Sequence, residues 1–269
     1  MSKTRIAMNG AAGRMGKRIV ALGMADDEIE VSAALEFSEH ADIGKDAGLI
    51  AGAAQLDVLL SDQLECEVDA VIDFSVPASS QKILETCVTA NLPLVVATTG
   101  LTAEQQQQIH ESARTIPIVW APNMSLAVNL TMNLAVTAAR ALKDYSGGVD
   151  VEIIERHHRF KEDAPSGTAL KFGEQIAREM GQTRHVHGRQ GQTGQRPADE
   201  IGYHALRVAD NPGEHTIIFG LMGETVEVTV RATNRDAYAL GALQAAKFIA
   251  RQSPGLYGMN DVLGLPVVD

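Results

Sequence analysis

The sequence predicts an α/β protein: an N-terminal doubly wound parallel sheet, then a central α+β region built on an open mixed sheet. Three observations carry this. Short apolar runs alternate with helical periodicity from Arg5 to Trp120, the rhythm of a parallel sheet. The first run leads directly into a glycine-rich turn. After about residue 143, strand-like runs follow one another with little helix between them, as in mixed or antiparallel sheets.

Residues 5–8 read as a short buried strand. Asn9-Gly10-Ala11-Ala12-Gly13-Arg14-Met15-Gly16 follows, its glycines spaced G-x-x-G-x-x-G. A helix then runs to about residue 24, with Met15, Ile19 and Leu22 on one face. Strand, glycine turn and helix are the setting of a Rossmann dinucleotide fingerprint, in which glycines permit the tight turn, the approach of a pyrophosphate and close helix–strand packing. A purely structural turn fits the same triplet. Residues 29–35 read as the second strand, and Glu36 stands at its end, 20 residues after Gly16, where an acidic side chain would bind the adenosine ribose hydroxyls.

Residues 68–74 form the next apolar strand, ending Asp73-Phe74-Ser75, and a helix over 79–90 follows. Residues 94–97 are strand, ending Thr98-Thr99-Gly100. Thr102 with Gln105 has the form of a capping box opening a helix over 102–114. Residues 116–120 are strand again, ending Ala121-Pro122-Asn123-Met124. Ligands of such sheets bind beyond the carboxyl ends of the strands. Gly10, Glu36, Thr98, Thr99 and Asn123 all fall on that edge and together favour a cofactor cleft.

Residues 126–143 are expected to be a helix leading into the second region, whose strand-like runs are 151–155, 203–208, 216–220 and 225–232. Residues 181–200, rich in Gly, Gln, Arg and His, read as a lid, an oligomer contact or a disordered loop. The last helix runs from Arg235 to about residue 252, with Leu240, Leu243, Ala246 and Phe248 on its apolar face, and returns to the first region. The domains are therefore 1–126 completed by 236–269, for dinucleotide binding, and 127–235, for substrate binding and oligomerisation.

The net charge of −11 over 269 residues argues against general affinity for nucleic acid or anionic membranes. An anionic ligand must then be caught by a local basic patch. Cys66 and Cys87 have no C-x-x-C spacing and are expected to be small buried apolar residues. No run is long enough to span a bilayer. The apolar run after Arg5 is broken at once by Asn9-Gly10, unlike a secretory signal, so the cytoplasm is the expected location.

Such a patch lies at Glu155-Arg156-His157-His158-Arg159-Phe160-Lys161-Glu162-Asp163-Ala164-Pro165-Ser166-Gly167-Thr168, on the loop between the 151–155 strand and a helix over 168–180. Ser166 is a good N-cap. The amides of Gly167 and Thr168 then sit at the positive end of the helix dipole, a place for a carboxylate or phosphate. Lys161 adds a mobile positive charge. His157 or His158 can exchange a proton near neutral pH, and neighbouring strand residues face opposite ways, so the two should differ in role. No metal site is expected, because the spacing does not suit zinc and no cysteine lies nearby. A solvated basic loop ending in an ordinary capped helix is the plainer reading.

This string closely resembles the signature of the dihydrodipicolinate reductases, also called 4-hydroxy-tetrahydrodipicolinate reductases, of diaminopimelate and lysine biosynthesis. Gly10-Ala11-Ala12-Gly13-Arg14-Met15-Gly16, Ala97-Thr98-Thr99-Gly100, Ala121-Pro122-Asn123-Met124-Ser125 and Gly213-Glu214-His215-Thr216 follow in the family's order. The resemblance implies an N-terminal Rossmann domain completed by the C-terminal helix, and a central domain that binds a small dicarboxylate and forms a homotetramer through its sheet. It implies NADH or NADPH as cofactor, held by Gly10 to Met15, Glu36, Ala97, Thr98, Thr99 and Ala121 to Met124. His157 would donate or accept a proton, Lys161 would be a second donor, and His158, Ser166, Gly167 and Thr168 would hold the substrate. Hydride transfer needs a dry site, so the domains are expected to close over the substrate. Family members often carry arginine after the acidic residue. Here that place is Phe37, which favours NADH, although Arg14 offers compensation. Two other readings use the same residues: a non-catalytic nicotinamide-binding sensor, and a Rossmann dehydrogenase for another small carboxylate such as aspartate.

Overall fold

In the computed structural model, which describes residues 2–265, the chain divides into two units. One runs to Leu126 and resumes at Asp236; the other spans Ala127–Arg235. Pro266 and the last residues of the 236–269 segment lie outside the described residues.

The first unit begins with β1 (Thr4–Asn9), α1 (Arg14–Met24), β2 (Ile29–Leu35), α2 (Ala47–Ile50), β3 (Leu60–Ser61) and β4 (Ala70–Asp73). It continues with α3 (Pro77–Ala90), β5 (Leu94–Val96), α4 (Ala103–Ser112), β6 (Pro117–Trp120) and the start of α5 (Leu126–Leu142). Its seven strands are all parallel, in the order β3-β2-β1-β4-β5-β6, with the late strand β12 (Gly255–Tyr257) added beside β6. The doubly wound sheet expected from the alternation is therefore present. Ile6, Met8 and Ile72 point to the face covered by Ile19 and Val20 of α1, while Ala7, Val71 and Val96 point to the face covered by Ile83, Leu84 and Ile109. Both faces are buried, and that is why these strands read as unbroken apolar runs. The chain leaves β1 towards β2 on one side and returns at β4 on the other. The carboxyl ends of β1 and β4 thus mark the switch point where ligands bind.

The capping box at Thr102 is formed: its hydroxyl accepts from Gln105 N–H, and Gln105 Oε1 accepts from Thr102 N–H. Several expectations need correction. Among the short elements, α2, β3, β12 and α8 (Met259–Val262) were not expected; none exceeds four residues, too few to show a period. Cys87 is buried but Cys66 is exposed, its thiol directed at Ser32 O. Burial pushes the Cys87 thiol pKa up.

The second unit holds the rest of α5, then β7 (Asp150–His157), α6 (Gly167–Met180), β8 (Arg184–His187), β9 (Glu200–Arg207), β10 (Glu214–Leu221) and β11 (Glu224–Arg231). Its sheet has the order β11-β10-β7-β9-β8. β10 runs antiparallel to both neighbours, whereas β7, β9 and β8 are mutually parallel; the mixed sheet is as expected. Ala135 and Ala139 of α5, with Ala169, Phe172 and Ile176 of α6, pack on Val151, Ile153, Ile201, Tyr203, Ile217 and Phe219. The last long helix, α7 (Asp236–Ile249), belongs to the first unit and lies against β4, β5 and α1. Its buried stripe is Ala239, Ala242, Leu243, Ala246 and Ile249; Leu240, expected on that face, is 50% exposed. Small side chains let this helix approach the sheet, and Leu240 falls one position outside the stripe.

Residues 181–200 are not structureless. Arg184–His187 form the edge strand β8, and the segment after it is tied down. Arg189 gives two N–H bonds to Glu152, at 3.0 and 2.6 Å, and Arg196 reaches Glu152 and Asp150. Burial opposes the charge on Glu152, but the bonds from Arg189, His204 and Arg196 outweigh it and bring its pKa down to about 2. Among the described residues, no helix is long and apolar enough to cross a membrane.

Candidate active site

Two places concentrate chemistry, one in each unit. In the first unit, the carboxyl ends of the strands are organised by Asp73, which is fully buried at the end of β4. Its carboxylate accepts from Asn9 Nδ2 at 2.7 Å, Ser75 Oγ at 2.5 Å and Thr98 Oγ1 at 2.8 Å. Thr98 Oγ1 in turn accepts from Ser75 N–H at 3.0 Å. The Thr98 hydroxyl is therefore committed to shaping this edge.

The turn after β1 shows why glycine stands there. Gly10 has φ +81°, and a Cβ on it would sit 2.7 Å from Phe74 O. A Cβ on Gly16 would lie 2.1 Å from Gly10 O, so helix and turn pack backbone to backbone. α1 starts after Gly13 with no side-chain cap, which leaves the dipole end of the helix to an anion. Glu36 Oε2 accepts from Ala12 N–H at 3.2 Å, fixing the carboxylate beside the turn. A cavity of about 880 Å³ opens here, lined by Asn9, Gly10, Gly13, Glu36, Phe37 and Lys82 among others. An uncapped glycine turn, a fixed carboxylate and a cavity of this size fit a dinucleotide.

The other expected cofactor residues follow β5 and β6. The side chains of Ala11, Ala97, Ala121 and Met124 are buried, so these positions offer backbone to a ligand. Thr99, Pro122 and Arg14 are exposed, Ala12 and Met15 are half-buried, and Asn123 Oδ1 accepts from Ser125 N–H at 2.9 Å.

In the second unit, His157 is the last residue of β7 and not part of the loop, and it is buried. Its Nδ1 lies 2.5 Å from Glu155 Oε2. Glu155, 1% exposed, also accepts from Arg207 Nη1 and Nη2, both at 2.9 Å, and from Ser166 N–H at 3.1 Å. Burial works against its charge; the His157 and Arg207 bonds prevail and bring its pKa down to about 2. Arg207 also reaches the carbonyls of Lys161 and Asp163. One guanidinium thus fixes both the carboxylate and the loop that carries Lys161.

Lys161 is not a free mobile charge: Nζ sits 2.8 Å from Asp163, and that bond holds the Asp163 carboxyl below its ordinary pKa. Ser166 caps α6 by accepting from Ala169 N–H at 3.2 Å, and its Oγ pairs with His215 Nε2 at 3.0 Å. Burial, helped by the charge of His157, drops the His215 pKa to about 4. His215 is therefore neutral at pH 7 and shares a hydrogen bond with the Ser166 hydroxyl. Gly167 faces open space, at the first helical position with Thr168 next. His158 Nδ1 is buried with no hydrogen-bond partner among the described residues.

His157, His158, Lys161 and the Ser166–Thr168 turn are expected from the sequence to form one site; Glu155 joins His157 to the Ser166 N–H, and Arg207 ties Glu155 to the Lys161 carbonyl. The parts played by Glu155, His215, Gly213, Arg207 and Asp73 are not apparent from the sequence. Arg207 is the parallel partner of His157 across β7 and β9, a relation visible only once the register is known.

Two family models match, described as the N-terminus of dihydrodipicolinate reductase over residues 4–124 and its C-terminus over residues 127–263. A 4-hydroxy-tetrahydrodipicolinate reductase from Rhodopirellula baltica is 55% identical, with 97% of this chain and 96% of the relative covered. Another of that name from Syntrophotalea carbinolica is 45% identical, covering 97% and 99%. Among solved structures, a dipicolinate-bound dihydrodipicolinate reductase from Paenisporosarcina sp. TG-14 superposes with TM-score 0.78 at 27% identity, covering 96% of this chain and 99% of that one. By its domains, its fold and its full-length relatives, this chain belongs to the dihydrodipicolinate reductase family.

Proposed function

We propose that the chain catalyses NAD(P)H-dependent reduction of (2S,4S)-4-hydroxy-2,3,4,5-tetrahydrodipicolinate to 2,3,4,5-tetrahydrodipicolinate with loss of water, a step of diaminopimelate and lysine biosynthesis in the cytoplasm. The observation that carries this is the buried His157 beside Glu155, with Lys161 and the first turn of α6 close by in sequence, in a chain 55% identical to a relative of that name.

One carboxylate of the substrate docks on the amides of Gly167 and Thr168 at the positive end of α6. His158 Nδ1, buried without a partner among the described residues, suits a substrate oxygen. Lys161 balances the negative charge. Ser166 builds the turn as the cap of α6 and joins Gly167 and Thr168 in holding the substrate. As the hydroxyl leaves and the ring is reduced, His157 and Lys161 supply and relay protons. A bound reduced nicotinamide supplies a hydride to ring carbon 4. In the first unit, Gly10 to Met15 hold the diphosphate, Glu36 the ribose, and the backbone after β5 and β6 the nicotinamide end.

NADH is the preferred coenzyme. Glu36 repels a 2′-phosphate, and Phe37 offers no charge to neutralise one. The enzyme is a homotetramer joined through the face of the β7–β11 sheet opposite α5 and α6. That face carries Ile154, Thr216 and Ile218, with the Thr216 and Thr229 hydroxyls paired across β10 and β11.

The test is loss of reduced-nicotinamide absorbance, with substrate made in place from pyruvate and aspartate semialdehyde by the preceding synthase. Turnover with NADH well above NADPH is expected. Equal rates remove the Glu36–Phe37 argument and leave the reaction. No turnover with either, in protein that binds cofactor, selects the sensor reading.

A further inference from the structure

We propose that Glu155, clamped by Arg207, is the positioning residue that fixes which nitrogen of His157 meets the substrate. The inference rests on the reductase reading and deepens it.

A fold that needed only a buried acceptor has no reason to keep a charge at this place. A buried ion pair adds little stability over well-packed apolar residues. Yet Glu155 receives four donors: His157 Nδ1 and Arg207 Nη1 on Oε2, Arg207 Nη2 and Ser166 N–H on Oε1. An ionised carboxylate only accepts, so His157 Nδ1 carries hydrogen in both of its protonation states. Nε2 is then the nitrogen that gains and loses the catalytic proton. It faces Gly213, where φ is +149° and a Cβ would lie 3.1 Å from Nε2. Glycine there leaves the reacting nitrogen its space.

The charges around the ring are few. Glu155 lies on the same strand and Arg207 on β9. The loop contributes Lys161, paired with Asp163. β10 contributes His215, whose ring meets His157 edge-on at 5.2 Å and which burial keeps neutral. α6 presents Phe172 and its uncharged cap Ser166. Glu155 is thus the carboxylate in contact with the imidazole.

Steady-state kinetics of Glu155→Gln and Glu155→Asp, on full-length enzyme shown to bind NADH, test this. For Glu155→Gln, kcat is expected to fall about 10²-fold while KM changes less than about threefold. Glu155→Asp, which keeps an acceptor-only carboxylate, should recover most of the lost kcat. An unchanged kcat in Glu155→Gln overturns the proposal. Should the variants fail to fold, solid-state 15N NMR of the histidine-labelled wild type decides, with His157→Gln assigning the signal. A bare Nε2 at high pH supports the proposal, and an Nε2–H tautomer overturns it. That measurement needs no turnover. An inactive wild type therefore counts against the reductase reading alone.

Discussion

At His157 the chemistry belongs to the side chain, and replacing it tests the reaction directly. His157→Gln keeps a polar contact to Glu155 but cannot exchange a proton; turnover is expected to fall by about 10²- to 10⁴-fold. Binding of NADH, followed by fluorescence, should be unchanged. Full turnover in the variant would remove His157 from the mechanism. Ser166→Ala separates cap from ligand. The hydroxyl holds Ala169 N–H and His215, so its loss should cost about 1 kcal/mol of stability, read as a lower Tm. How far the site could be read in advance follows from the kind of relation involved. His157, His158, Lys161 and Gly167 stand out as candidates because they are close neighbours in one string. Arg207 and Asp73 were not, since their partners are set by sheet register and by the meeting of three strand ends.

Secondary structure divides in a similar way. β2 and α6 were legible almost residue for residue, because period, cap and length agreed. Ser166 marks the start of α6, and the left-handed Gly181, with φ +80°, marks its end. At α4 the reading reached a single hydrogen bond. Thr102→Ala should therefore destabilise the first unit by about 1 kcal/mol, seen as a shifted urea midpoint, while Thr115→Ala in the following turn should not. Of the alternatives for residues 181–200 only disorder falls away, because a set of ion pairs with β7 some forty positions earlier orders them, which no local pattern encodes. Glu152→Gln weakens the bonds from Arg189 and Arg196. Amide exchange is expected to quicken over residues 188–199 and to stay slow in Val151 and Ile153. Equal protection in both proteins would show that the ion pairs do not hold the segment.

For the molecule as a whole, the titrations displaced on the acid side act in one direction. Glu152 and Glu155 ionise at about 2 when folded, below an ordinary value of 4.5. The unfolded chain therefore takes up protons first as pH falls, and stability drains away between about pH 4.5 and 2. His215 is held at about 4 against an ordinary 6.5. It stays neutral in the fold while the unfolded chain becomes charged, so stability falls between about pH 6.5 and 4. Urea midpoints should rise steadily from pH 3 to pH 6.5, and His215→Asn should flatten the upper part of that curve. A flat wild-type curve between pH 4 and 6.5 would contradict the buried neutral histidine. The discontinuous first unit has a consequence for how the protein is made. Ile6, Met8 and Ile72 wait for Ala242, Leu243 and Ala246 to cover them, yet more than a hundred residues of another unit are synthesised in between. On the ribosome the half-finished sheet must stand with only α1 over that side until α7 emerges. The second unit, with a core of its own, can close upon itself meanwhile, so the unit that begins first is completed last.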